Sequence, residues 1–191
     1  FTYDKNRDFV LTSSPSMDIL VSSNFERLVY HALGGRTGLL VDLMDALDTQ
    51  GEYTVPEDYR GLFEDFMGQY TTEEEMQEEI QKVYKKENYL MDTHTAVASK
   101  ALRKAKKDGL SDRPSVVVST ASPFKFPAAV LESIGIDTAI KDDQEVLHTL
   151  KQASGDKLPQ AMDGLLDAPV LHDRTISVDD MRAAVQEIAQ D

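Results

Sequence analysis

The sequence predicts a helix-rich α/β fold, on three observations. Apolar residues recur at helical spacing through most of the chain, as in Phe25, Leu28, Val29, Ala32 and Leu33. Helix-start signatures repeat, with Ser23 three residues before Glu26 and Thr72 three before Glu75, the capping-box spacing. Against roughly six to eight helical patterns stand two or three short strands, too few for a self-sufficient parallel sheet. The chain is thus expected either to be mostly helical or to hold strands that complete a sheet made elsewhere.

Phe9-Val10-Leu11 read as a strand running into the polar loop Ser13-Ser14-Pro15-Ser16. The Ser23 helix follows and stops at Gly34-Gly35. Two shorter helices are predicted, about Leu39 to Leu47 and Glu57 to Met67, separated by Gly51 and Pro56. From Thr72 a further helix buries Met76, Ile80, Val83 and Tyr84, and its acidic start, Glu73-Glu74-Glu75, suits the helix dipole. Asp92-Thr93-His94 open another with Val97, Ala101, Leu102 and Ala105 inward, basic in its last turns and closed by Gly109. Val116-Val117-Val118 read as a buried strand ending in Ser119-Thr120, followed by a helix from about Lys125 to Ser133. Asp142 or Asp143 caps the next, bearing Val146, Leu147 and Leu150. The last helix follows Ser177 and Asp180, with Val178, Met181, Ala184, Val185 and Ile188 on one face.

Composition narrows function. With 191 residues, 41% hydrophobic and 28% charged, the chain is globular rather than disordered. A net charge of −14 argues against nucleic acid and against an anionic membrane as partners, since both need a basic face. The lack of cysteine excludes disulfides, thiolate catalysis and zinc–thiolate sites. No apolar run approaches the roughly 18–20 residues that span a bilayer. The start, FTYDKNRDFV, is neither a signal nor a transit peptide and lacks Met. A cytoplasmic setting and an origin as an internal piece of a longer chain are expected.

No metal site is expected, because His31, His94, His148 and His172 lie far apart without HExxH-type spacing. Neither GxSxG, GxGxxG nor a P-loop occurs. His31, His148 and His172 read as surface residues. His94 lies at a helix start, where two readings stand open: simple capping by Asp92 or Thr93, or an anion site. Ser119 and Thr120 likewise either satisfy turn backbone or line the crevice beyond a strand's carboxyl end, where α/β sheets bind ligands. Ser122-Pro123 is a cap with proline at the first helical position, and Lys125 carries no sign of the burial that would make it a reactive amine.

Four motifs in order then carry a resemblance. Ser16-Met17-Asp18-Ile19 with Ser22-Ser23-Asn24-Phe25-Glu26-Arg27-Leu28 is similar to the SMDI…SN.ERL segment of threonine synthases, and Asp92 to Ala98 resembles their D.HTAVA. Residues 119–127 resemble their STAHPYKFP, and Thr2 to Arg7 the segment just upstream. The resemblance implies the C-terminal part of a tryptophan-synthase-β-like fold that uses pyridoxal 5'-phosphate, seen here as a partial three-layer sandwich. Within it, 36–90 would be a helical insertion and 91–191 the C-terminal part of the pyridoxal-phosphate domain, all of 1–191 being one C-terminal fragment. The implied reaction turns O-phosphohomoserine and water into threonine and phosphate. The family's Schiff-base lysine lies in an F-K-D motif and its phosphate-holding loop reads GNFG; neither occurs here. No catalytic residue is therefore assigned, and the fragment is expected to be inactive without its N-terminal part.

Carried over, Thr120 matches the threonine that meets the cofactor's pyridine nitrogen, with Ser119 beside it. Lys125 matches a helix-start lysine that either meets the substrate phosphate or complements local charge. Asp92, His94 and Thr95 would lie near the cleft, with Ser14, Ser16 and Asp18 bordering it. Ser122 departs from the pattern, standing where many members have His. Two alternatives stay open: another pyridoxal-phosphate enzyme of elimination or replacement, and a non-catalytic helical interaction module derived from one.

Overall fold

The computed structural model describes residues 1–109, 113–139, 141–155, 158–162, 164, 168–169, 171 and 173–190. The chain divides into two units, Phe1–Asp156 and Lys157–Asp191.

In the first unit, β1 (Thr2–Asp4) pairs antiparallel with β2 (Glu52–Thr54), Tyr3 opposite Tyr53. Their rings stack with centroids 5.5 Å apart and planes 8° from parallel. Between the strands run α1 (Ser23–Ala32) and α2 (Thr37–Gln50). Val29 and Leu33 meet Leu43, Leu47, Tyr53, Val55 and Phe63 in one buried cluster. Burial pushes the Tyr53 phenol up to about 12, helped by Tyr3 and Glu26. The Tyr3 hydroxyl donates to the Leu20 carbonyl at 3.0 Å and accepts from the Ser22 amide at 2.8 Å, which ties the sheet to the start of α1.

Three expectations are corrected here. The cap of α1 is Ser22, whose hydroxyl accepts from the Phe25 amide. The segment expected as a helix over Glu57 to Met67 forms two 3-10 turns, Glu57–Tyr59 and Gly61–Asp65. The first turn stops at Arg60 and the second restarts at Gly61, the poorest helix former after proline. Neither Phe9-Val10-Leu11 nor Val116-Val117-Val118 is a strand. A strand needs a ladder partner as well as propensity, and among the described residues β1 and β2 pair with each other alone. Val116 stays 88% exposed and Leu11 77%.

Helix α3 (Glu73–Glu87) carries the predicted capping box, Thr72 and Glu75 bonding reciprocally, and ends at Asn88 in the left-handed conformation. It packs along α4 (Thr93–Lys107), which Asp92 caps. A 3-10 turn over Pro123–Lys125, capped by Ser122, precedes α5 (Pro127–Ser133); the helix predicted from Lys125 thus begins two residues later, at a proline. Helix α6 (Asp143–Ser154), capped by Asp142, completes the unit by packing on α5. Ile80, Val83, Val130, Leu131, Val146, Leu147 and Leu150 are buried.

The α3–α4 contact has an ionic spine. Glu79, buried on α3, accepts from Ser99 Oγ and from Arg103 Nε on α4, each at 2.6 Å. Burial pushes its carboxyl upward, but these two donors outweigh burial and hold it below the ordinary range. Lys104 binds Glu75 at 2.5 Å. The basic cluster assigned to the helix dipole thus also staples two helices.

In the second unit, a 3-10 turn over Val178–Asp180 leads into α7 (Met181–Ile188). Ser177 Oγ meets Asp180 Oδ2 at 2.7 Å, and Arg174 meets Glu187 at 2.8 Å. Of the residues expected on one face of this helix, Ala184 is buried, whereas Val178, Met181, Val185 and Ile188 are exposed.

Candidate functional site

The first turn of α4 is buried although it is polar. Asp92, Thr93, His94 and Thr95 keep 1%, 0%, 8% and 6% of their surface exposed. Free amides at a helix start need acceptors, and Asp92 supplies one: its Oδ1 accepts from the His94 and Thr95 amides at 2.9 and 3.0 Å. Its Oδ2 accepts from the Thr95 hydroxyl. Of the two readings for this segment, capping is therefore the role of the Asp92 side chain.

The His94 ring is engaged differently. Its Nδ1 lies 2.5 Å from Ser14 Oγ and 3.4 Å from Thr93 Oγ1. Its Nε2 is buried and has no hydrogen-bond partner among the described residues. The ring packs against Phe126, centroids 4.8 Å apart. Burial lowers the imidazole's pKa; Asp92 and Asp18 pull it up, and Lys125 pushes it down. The ring is therefore neutral at pH 7 and has a hydrogen-bonding atom to offer a ligand.

Ser14 reaches His94 from a loop held at both ends. Asp18 accepts from the Thr12 amide at 2.6 Å and from the Thr12 hydroxyl at 2.8 Å, which closes the loop on itself. Thr12 Oγ1 accepts from the Ser14 amide at 3.1 Å. Glu73, first residue of α3, accepts from the Ser13 amide at 2.8 Å and the Ser13 hydroxyl at 2.6 Å.

Of the residues singled out from sequence, Ser14, Asp92, His94, Thr95 and Ser119 form one connected group, Thr95 Oγ1 lying 3.0 Å from Ser119 Oγ. Asp18 and Lys125 act on His94 through charge. Lys125 is exposed, its Nζ 5.5 Å from the Phe126 ring centre. Thr120 is exposed beside Ser119, and Ser16 is exposed with no bond into the group. Glu73, Ser13, Thr12 and Phe126 were not legible as site residues; Glu73 lay inside an acidic run whose dipole reading was sufficient by itself.

His31 is exposed in the last turn of α1, and His148 is exposed on α6; His172 lies outside the described residues. No group of three or more metal-binding side chains occurs among the described residues. No helix among them is long and apolar enough to cross a membrane. An open cleft of about 540 Å³ runs beside α3 and α4, lined by Glu75, Glu79, Lys100, Arg103 and Lys104 among others, and shares no residue with the His94 group.

Residues 95–189 match the family described as "Threonine synthase, C-terminal". Over 131 residues the chain is 40% identical to a threonine synthase of Pseudomonas aeruginosa, covering 66% of this chain and 26% of that protein. The yeast threonine synthase crystal structure superposes with a TM-score of 0.76 at 25% identity, covering all of this chain and 39% of that one. A threonine synthase from Brucella melitensis, solved with pyridoxal phosphate bound, gives 0.64 at 29% identity, over 81% of this chain and 37% of that one. The chain therefore spans about a quarter to two-fifths of the relatives it matches.

Proposed function

The chain belongs to the threonine synthases through its C-terminal half, and we propose from this that it supplies one wall of the pocket in which O-phosphohomoserine and water become threonine and phosphate. The carrying observation is that the buried polar first turn of α4 joins three separate segments by hydrogen bonds, meeting buried Ser14 of the 12–18 loop on one side and exposed Ser119 on the other. Each of these segments is one that resembles a threonine synthase motif.

In this reading Thr120 and Ser119 hold the cofactor, pyridoxal 5'-phosphate. The residues fit it: the Thr120 hydroxyl is exposed, and Ser119 is fixed beside it by Thr95. A neutral hydroxyl facing the pyridine nitrogen leaves that nitrogen largely unprotonated, where a carboxylate would hold its proton. When bound, the cofactor supplies the electron sink for charge developing on the substrate's carbons. His94 and Lys125 face the substrate, one as a neutral hydrogen-bonding ring and the other as a cation toward phosphate. Asp92 orders the turn that carries His94, Asp18 closes the loop that carries Ser14, and Ser16 stands at the rim.

The other wall belongs to an N-terminal part carrying the cofactor lysine. Phe9, Val10, Leu11, Val116 and Val118, apolar and exposed here, belong to the runs such a part would cover with sheet. Residues 36–90 are then a helical insertion, and 91–191 the end of the cofactor domain. The parent is a carbon–oxygen lyase acting on phosphates in the cytoplasm.

The 191-residue chain alone releases no phosphate from O-phosphohomoserine. Joined with the product of the reading frame upstream of Phe1, it does, and Thr120→Val in that assembly suppresses the release. A visible absorbance band formed stoichiometrically by the lone chain with pyridoxal phosphate, and abolished by Lys125→Ala, would overturn the proposal.

A further inference from the structure

The proton on His94 can be located by counting hydrogen-bonding groups. Ser14 is 1% exposed, and its hydroxyl has His94 Nδ1 as its partner among the described residues. If Nδ1 carried the proton and donated to Ser14, the serine proton would lack an acceptor, and the Nε2 lone pair would lack a donor. Two buried groups would then be unmet. If Ser14 instead donates to Nδ1, its proton is used and the only unmet group is Nε2–H. A buried polar group without a partner is costly, so the second arrangement wins. The Thr93 hydroxyl lies 3.4 Å from the same nitrogen, at the outer edge of hydrogen-bonding distance.

The arrangement depends on where Ser14 sits. Its neighbour Ser13 is held by both carboxylate oxygens of Glu73, one on the amide and one on the hydroxyl, and Gln77 donates to Glu73 Oε1 at 3.2 Å. A two-point clamp fixes orientation as well as distance. The carboxylate of α3 thereby sets the serine that sets the histidine of α4.

Resting on the reading of His94 as substrate-facing, we infer that Glu73 and Ser14 are positioning residues that hold His94 as the Nε2–H tautomer, so that one buried N–H is aimed at a phosphate oxygen of the substrate. An N–H kept ready in a buried site costs no reorganisation when the acceptor arrives.

Nitrogen-15 NMR of the imidazole in the 191-residue chain tests this. The expected spectrum has an unprotonated Nδ1 and a protonated Nε2 for His94. In Ser14→Ala the ratio of Nε2–H to Nδ1–H tautomers falls about fivefold, the worth of one hydrogen bond. Ser13→Ala and Glu73→Gln, each removing one point of the clamp, lower the ratio in the same direction by less, with helix content unchanged. These milder variants also decide the matter if Ser14→Ala fails to fold. A protonated Nδ1 in the unaltered chain, or a ratio unmoved in both Ser13→Ala and Glu73→Gln, overturns the inference. Inorganic phosphate provides the separate arm: it is expected to shift Nε2 and leave Nδ1 nearly in place. The expected tautomer with no response to phosphate removes the substrate-facing reading of His94, and the phosphate half of the inference with it, while leaving the tautomer assignment standing.

Discussion

The ion pair between α3 and α4 is lopsided, and the two ways of breaking it should differ. The Glu79 side chain is 1% exposed, whereas that of Arg103 is 49% exposed. Arg103→Met leaves a carboxylate buried with Ser99 as its remaining donor, and should cost about 3 kcal/mol, the low end for an orphaned buried charge. Glu79→Met leaves only a guanidinium that water already reaches, and puts an apolar chain of similar volume in the space. Its cost should be below about 1.5 kcal/mol. With a urea dependence of about 2 kcal/mol/M, Arg103→Met lowers the unfolding midpoint by about 1.5 M and Glu79→Met by less than half of that. Acid separates the mechanisms further. In the unaltered chain Glu79 titrates below the ordinary range, so its contribution is complete above the unfolded carboxylate pKa and is lost as pH falls through the lowered folded value. In Arg103→Met burial is left to raise the same group, so the penalty is largest at pH 7 and shrinks as pH falls and Glu79 protonates. The gap between the two chains should therefore narrow from pH 7 to about pH 4. Urea titrations across that range check it. A larger loss for Glu79→Met than for Arg103→Met, or a gap independent of pH, refutes the reasoning.

Removing the cap of α4 is predicted to act on stability and site together: Asp92→Ala frees two buried amides and the Thr95 hydroxyl, costing about 2 kcal/mol, the upper end for a cap. Urea unfolding reads that loss, and the His94 imidazole signals should broaden or move in the same variant. Gly51 closes α2 at φ +85°, where an added Cβ would run into the side-chain amide of Asn6. Gly51→Ala should cost about 1 kcal/mol for the left-handed backbone and displace the Asn6 side chain, seen as a lower melting temperature.

What the sequence made legible is what local physics decides. Asp92, Thr72 and Asp142 announce helix starts because a cap is a contact between residues two or three apart, and all three cap in the structure. The strands were missed for the opposite reason. Thr2–Asp4 and Glu52–Thr54 have three residues each, too short to show alternation, and exist through a partner about fifty residues away. The VVV run shows the converse: β-branched propensity is present, but among the described residues no ladder partner is. In the polar group around His94, Asp92, His94 and Thr95 were legible together because they share one turn. Ser14 was placed only at the border, and Glu73 was hidden, because their contacts span eighty and sixty residues of sequence.

The first turn of α4 also bears on why these residues are there at all. A helix end that served only packing would bury apolar side chains, since each buried polar group must recover its lost hydration through hydrogen bonds. Here four polar residues in succession are buried, and nearly every group finds its bond: Asp92 takes three donors, Thr95 bridges to Ser119, and His94 Nδ1 meets Ser14. Such saturation gains little stability over an apolar turn. It does fix orientation, because each bond removes a rotamer. Among the described residues, the one buried side-chain nitrogen or oxygen without a partner is His94 Nε2, so the rigidity of the network falls on that atom, as it would in the proposed binding wall and would not in a mere packing interface.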